Sequence, residues 1–174
     1  SNILIDNCNF TENAAQGQGG AIYTSNQKFS ISSCNFTHNF VVTTDPSFST
    51  SPSQGGAVWV SNGGEEGVVE QSFFARNTAR SGWGGAIYGT GASLLDISDV
   101  IFDGNHATSS YTNGALGGAI MVTDGVAITL SDTTFTKNFA RPNYTTNPLT
   151  YSGTGGALYA QSVRVDISSC YFEG

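Results

Sequence analysis

The stretch FTENAAQGQGGAIY, residues 10–23, joins two short signals: F-x-x-N at Phe10–Asn13 and G-G-A-I at Gly19–Ile22. The first returns as FTHN at Phe36, FARN at Phe74, FDGN at Phe102 and FTKN at Phe135. The second returns as GGAV at Gly55, GGAI at Gly84, GGAI at Gly117 and GGAL at Gly155. The two alternate strictly along the chain. Self-similarity at a fixed period marks a repeat architecture, in which each unit buries its apolar face only by stacking on its neighbours.

Spacing divides the unit into two halves. From the first Gly of a pair to the following Phe there are 17, 19, 18, 18 and 17 residues; from Phe to the next Gly pair there are 9, 19, 10, 15 and 20. A near-constant half and a freely expanding half are what stacked coils with loops on one side produce. The constant half alternates. FSISSCNF (29–36), LDISDVIF (95–102), ITLSDTTF (128–135) and VDISSCYF (165–172) all place apolar residues seven and five positions before Phe, then a polar pair, then a small residue. Period two with Val and Ile reads as short strands joined by tight turns. Pro46, Pro52, Pro142 and Pro148 fall in the expanding halves, where no ladder hydrogen bond is lost. The expectation is an all-β chain, a parallel β-helix of about five to six coils with variable loops on one side.

Each signal then has a task. Phe10, Phe36, Phe74, Phe102, Phe135 and Phe172 stack in the interior, one per coil and about 4.8 Å apart. Ile22, Val58, Ile87, Ile120 and Leu158 point inward beside them. Asn13, Asn39, Asn77, Asn105 and Asn138 are expected at a corner, taking the left-handed backbone there and bonding to the next coil. The Gly pair lets the chain bend and the coils approach. Cys8, Cys34 and Cys170 stand two residues before a repeat Phe, where other coils carry Ser72, Val100 and Thr133. That set describes a small side chain in an interior stack. Inert thiols and a Cys8–Cys34 bond are the alternatives; side chains stacked in register point the same way, which suits disulfide geometry poorly.

F-x-x-N alternating with G-G-A-[ILV] resembles the repeat of the chlamydial polymorphic outer membrane proteins, and similar repeats occur in other bacterial and eukaryotic surface proteins. The resemblance covers essentially the whole chain. It implies a right-handed parallel β-helix, exposed outside the cell and used for adhesion. The chain starts inside a repeat, at SNILIDNCNF, and stops at YFEG, with no atypical capping repeat. Residues 1–174 are therefore expected to form a single β-helix segment of a longer repeat protein.

Charged residues make up 11% of the chain, the net charge is -7 and Lys plus Arg number six. So few cations argue against a nucleic-acid partner or an anionic membrane surface. No apolar run of 18 residues offers a membrane span. A glycan-cleaving active site needs converging carboxylates, yet Asp45 is the one acid across residues 40–54, 106–116 and 139–154, and Asp6, Glu70, Asp99 and Asp132 fall at corners or outward positions. The enzyme reading is the weaker one. His38 and His106 lie on different coils with no ligand-spaced partner, so no metal or cofactor is expected.

Two candidate surfaces remain. Tyr23, Trp59, Tyr88, Met121 and Tyr159 each follow the inward aliphatic and should face out. They form a stripe flanked by Ser25, Ser61, Thr90, Thr123 and Gln161. This stripe either stabilises the stack by itself or makes a contact face for glycans or a neighbouring filament subunit. Sequons place candidate N-glycosylation at Asn9, Asn35 and Asn143. Glu12, His38, Arg76, Gly104 and Lys137, two residues after each Phe, read as a solvated face. The composite expectation is a non-enzymatic extracellular scaffold of a cell-surface protein, serving adhesion or building a surface fibre. Its partners would be further coils or filament subunits, a host-cell receptor or glycans. A glycosylated filament or coat protein of a eukaryotic microbe is the first alternative, and a polysaccharide-degrading β-helix enzyme the second.

Overall fold

The computed structural model describes residues 2–42, 52–61, 63, 65–91, 94–109, 114–125, 127–142 and 153–174. These residues coil through five parallel sheets. Sheet I holds Asn2–Asp6, Lys28–Ser32, Glu66–Glu70, Leu94–Ser98, Ala127–Ser131 and Val165–Ser168. Sheet II holds Asn9–Thr11, Asn35–Thr37, Phe73–Ala75, Ile101–Asp103, Thr134–Thr136 and Tyr171–Glu173. Sheet III comprises Ala14–Ala15, Phe40–Val42, Thr78–Arg80, His106–Ser109 and Phe139–Pro142. Sheet IV comprises Ser53–Gln54, Gly82–Trp83, Ala115–Leu116 and Gly153–Thr154, and sheet V Ile22–Ser25, Val58–Ser61, Ile87–Thr90, Ile120–Thr123 and Leu158–Gln161. The chain visits the sheets in that order, the first circuit touching sheet IV only through a Gln18↔Gln54 bridge, and each strand pairs in parallel with its equivalent one coil away. Equivalent residues therefore sit directly above one another, as in Phe36↔Phe74↔Phe102↔Phe135.

That register builds the core. Phe10, Phe36, Phe74, Phe102, Phe135 and Phe172 form one column of stacked rings with centroids 4.6–5.1 Å apart. Phe29, Ile31, Leu95, Ile97, Ile128 and Leu130 of sheet I and Val58, Ile87 and Ile120 of sheet V close around it, all buried. Volumes are matched between coils. A Cβ on Gly67 would collide with the Phe29 ring one coil below, so the largest side chain of that interior row stands against the smallest. Cys34, Ser72, Val100 and Thr133 form the expected buried column.

The turns differ from expectation in one respect. The left-handed residue at the II–III corner is the one before Asn: Glu12 (φ 56), His38 (φ 56), Arg76 (φ 55), Gly104 (φ 60) and Lys137 (φ 53). The Asn residues themselves are outside the left-handed region, and from Asn39 onward they turn inward and are buried. The reason is that a side chain on the left-handed residue points to solvent, whereas the corner's buried backbone needs an amide on the interior side. Asn77 shows the arrangement. Its backbone N–H and its Nδ2 both donate to Asn105 Oδ1 (3.0 and 2.9 Å), and Nδ2 also donates to the Phe36 carbonyl (2.9 Å).

Phe102 tests the interior assignment. Its ring lies between those of Phe74 at 5.1 Å and Phe135 at 4.9 Å and is fully buried. Phe102→Ala should cost about 3–5 kcal/mol in denaturant unfolding, because a stacked column cannot collapse into the gap. A loss below about 1 kcal/mol would contradict the packing.

Candidate functional site

After the Asn corner the chain runs out along sheet III and returns along sheet IV to the Gly pair. The return is close because the residues between the layers are small: Val41, Ala79 and Ala107 on one side, Ser53, Gly82 and Ala115 on the other, all buried. Gly84 turns the chain at φ 64, and a Cβ on Gly85 would overlap the Gly118 carbonyl and crowd the His106 backbone. The result is a two-layered arm. Every expanding segment falls between its outgoing and returning strands, at residues 43–52, 110–114 and 143–152, while one coil closes with Ser81 alone at φ 62. The large differences in length thus fall, in sequence, between the sheet III and sheet IV strands, while the turn from sheet V to sheet I varies only slightly.

The aromatic stripe points outward from sheet V, but most of it is not a free surface. Trp59, Tyr88 and Met121 are buried, with 7%, 4% and 2% of their area exposed, against 56% for Tyr23. Sheet IV covers them. Trp83 packs on Tyr88 with ring centroids 6.3 Å apart, and Leu116 and Tyr159 join the same cluster. Polar atoms at its edge are paired: Trp59 Nε1 donates to Gln54 Oε1 (3.0 Å) and Trp83 Nε1 to the Gly114 carbonyl (3.2 Å). For Trp59, Tyr88 and Met121 the stack-stabilising reading holds in place of the contact face: with Tyr159 beside them they form a second apolar core in the angle between sheets IV and V. Tyr23 remains open, stacked on Trp59 at 4.4 Å. A sequence signal was available: Gln18, Gln54, Trp83, Leu116 and Thr154 immediately precede the Gly pairs and stand where they face this row.

Burial, reinforced by the Asp124 carboxylate and opposed by the Thr90 hydroxyl, pushes the Tyr88 phenol up from 10.0 to about 12. The folded chain thus holds this proton longer than the unfolded chain does. Its contribution to stability is complete below pH of about 10 and is lost as the pH rises toward about 12.

Asn9 and Asn35 are in-register neighbours on the outer face of sheet II. Asn9 is exposed; Asn35 is half-buried, and its Oδ1 is shut from solvent without a hydrogen-bond partner. Asn143 lies outside the described residues. The cysteines are free, Cys34 buried and Cys8 exposed. The Cys8 N–H points to Cys34 Sγ at 3.4 Å, and burial pushes the Cys34 thiol up. Among the described residues no group of three or more His, Cys, Asp and Glu side chains is placed to hold a metal ion, and no helix is long and apolar enough to cross a membrane.

A family described as a right handed beta helix region matches residues 1–174, and the chain belongs to that family. Comparisons with curated proteins and with solved structures find no significant match.

Trp59 distinguishes a core from a contact face. Trp59→Ala should destabilise the chain by about 3–5 kcal/mol, whereas Tyr23→Ala should change stability by no more than about 1 kcal/mol. Equal, small effects at both positions would restore the free-surface reading.

Proposed function

We propose that this chain is a non-enzymatic extracellular repeat scaffold of a cell-surface protein that adheres through the tips of its arms. The observation that carries the proposal is the separation of roles within each coil. Two apolar cores hold five sheets in fixed register, while the large differences in length between coils fall in sequence between the sheet III and sheet IV strands. Binding residues are disproportionately found on loops held by such rigid scaffolds. Placement of the acids also supports a non-catalytic role. Asp6, Glu66, Glu70 and Asp96 lie outward along flat sheet I, and Asp99 and Asp132 occupy the left-handed I–II corner. None of these positions lines a cleft of the kind paired carboxylates need for glycoside hydrolysis.

The surface-fibre reading is favoured by one observation: Asn9 presents an exposed sequon on the flat outer side of sheet II, clear of the arm. A glycan there would decorate a filament without blocking coil stacking.

The test replaces residues 43–52 by the one-residue closure that Ser81 provides elsewhere. Attachment of cells or beads displaying the protein should fall to background while the melting temperature stays within a few degrees. Undiminished attachment would contradict the arm-tip reading.

A further inference from the structure

The basic residues are few but gathered. Arg76, Arg80, Lys137 and Arg141 are four of the six Lys and Arg of the chain, and they occupy the II–III corner and the outer face of sheet III. In register they frame a square: Arg76, Thr78 and Arg80 on one coil, Gly104, His106 and Thr108 on the next, Lys137, Phe139 and Arg141 on the third. Cations stand at the four corners and the middle row of Gly104, His106 and Thr108 carries no fixed charge, while Asp103, held by the Thr136 hydroxyl (2.7 Å), flanks that row on sheet II. Two coils separate the cationic rows, roughly 10 Å.

No described carboxylate forms an ion pair with any of the four; the ion pairs present join Lys28 to Glu66 and Arg164 to Asp166, on sheet I and beside it. The arginines of sheet III are steadied by aromatic rings instead. The Arg141 guanidinium lies 4.5 Å from the Phe139 centroid and that of Arg80 5.4 Å from Phe40. The floor is ordered too. His106 stacks on Phe139 at 4.9 Å and its Nε2 is 2.9 Å from Thr78 Oγ1. Arg76 leans over Gly104, whose missing side chain leaves the middle row open. Burial pushes His106 below its ordinary value, with Arg141 and Arg80 adding to the shift and the Gly104 carbonyl opposing it, while the Arg80 guanidinium itself reaches to Phe40 one coil outside the square.

We propose that this square is a binding site for a sulfated polysaccharide. Among the described residues none of these four cations is ion-paired, though Asp103 stands beside them, and an anion over Gly104, His106 and Thr108 relieves their remaining mutual repulsion. Guanidinium, weakly hydrated and held flat, suits a sulfate ester bonded in two places better than a lysine would. The half-buried Thr108 hydroxyl beside the arginines suits a sugar backbone. The square is too small, on a chain of net charge -7, for the long phosphate track that nucleic acid requires. The inference rests on the surface-displayed scaffold reading, but its site lies on the sheet and not at the arm tips.

The test measures binding of the protein to heparin, with polygalacturonate, dextran, single-stranded oligothymidylate and polyglutamate as comparison probes. Heparin should bind, weaken steeply as salt rises, and lose at least tenfold in affinity with Arg80→Gln or Arg141→Gln. Arg141→Lys should recover only part of the loss. Lys28→Gln and Arg164→Gln should have no effect, and circular dichroism should show every variant folded. Histidine NMR adds a local readout, since heparin should shift the His106 ring signals. Heparin binding that ignores the sheet III variants, tighter binding of oligothymidylate or polyglutamate, or no heparin binding would each overturn the assignment. Loss of adhesion in the residue 43–52 replacement with heparin binding intact would leave this site standing, and the converse would leave the arm-tip reading standing.

Discussion

The structure depends on how a tight corner keeps its backbone satisfied away from water. Between sheets II and III the chain turns in two residues, and the second is buried. Its N–H cannot join either strand ladder, and an unpaired buried N–H costs about 1–3 kcal/mol. In each coil the Asn of the coil above receives it. Asn39 N–H and Nδ2 donate to Asn77 Oδ1 (both 3.0 Å), Asn77 to Asn105, and Asn105 to Asn138. The second proton of each Nδ2 goes back to the Phe carbonyl one coil below. Asp has no amide protons to donate and Gln is a methylene too long, so the position demands Asn. Coil register, and with it the Phe column, follows from this ladder.

A weaker version operates at the I–II corner. Ser72 Oγ accepts the Cys34 N–H (3.0 Å) and donates to the Glu70 carbonyl (2.7 Å), and Thr133 Oγ1 donates to the Ser131 carbonyl (2.8 Å). Cys34 and Cys170 make the same local contact through sulfur, to Ser32 and Ser168. Smallness alone does not explain the Cys, Ser and Thr column; most of its members also hold the turn. Val100 fills the same place without a hydrogen bond of its own.

Repetition made the coil legible before any coordinates. Phe102, Ile87 and Ile97 could be assigned to the interior because period two and constant spacing leave no other arrangement. Three features lay beyond that reasoning. Alternation says that Tyr88 points away from the first core, but not that Trp83 of the same coil folds back to cover it. The Asn signal identified the corner but not which residue takes the left-handed turn, since that depends on which side chain the interior needs. Arg76, Arg80, Lys137 and Arg141 are scattered over 66 residues of sequence and meet only because coils of unequal length are held in register. Acids spread along sheet I and cations gathered on sheet III give a chain of low charge density two faces of different character.

The direct test of the ladder is Asn77→Leu, which keeps the volume and removes every hydrogen bond of the side chain while the backbone N–H stays on Asn105 Oδ1. The substitution leaves the Asn39 N–H without its acceptor, takes one of two partners from Asn39 Nδ2 and from Asn105 Oδ1, and removes the Nδ2 bond to the Phe36 carbonyl. Denaturant unfolding, followed together with amide hydrogen exchange, is the measurement. The account predicts a loss of at least about 3 kcal/mol, with protection falling first at Asn39 and in the strands on either side of that corner. Stability within about 0.5 kcal/mol of the parent, with protection unchanged at Asn39, would contradict it.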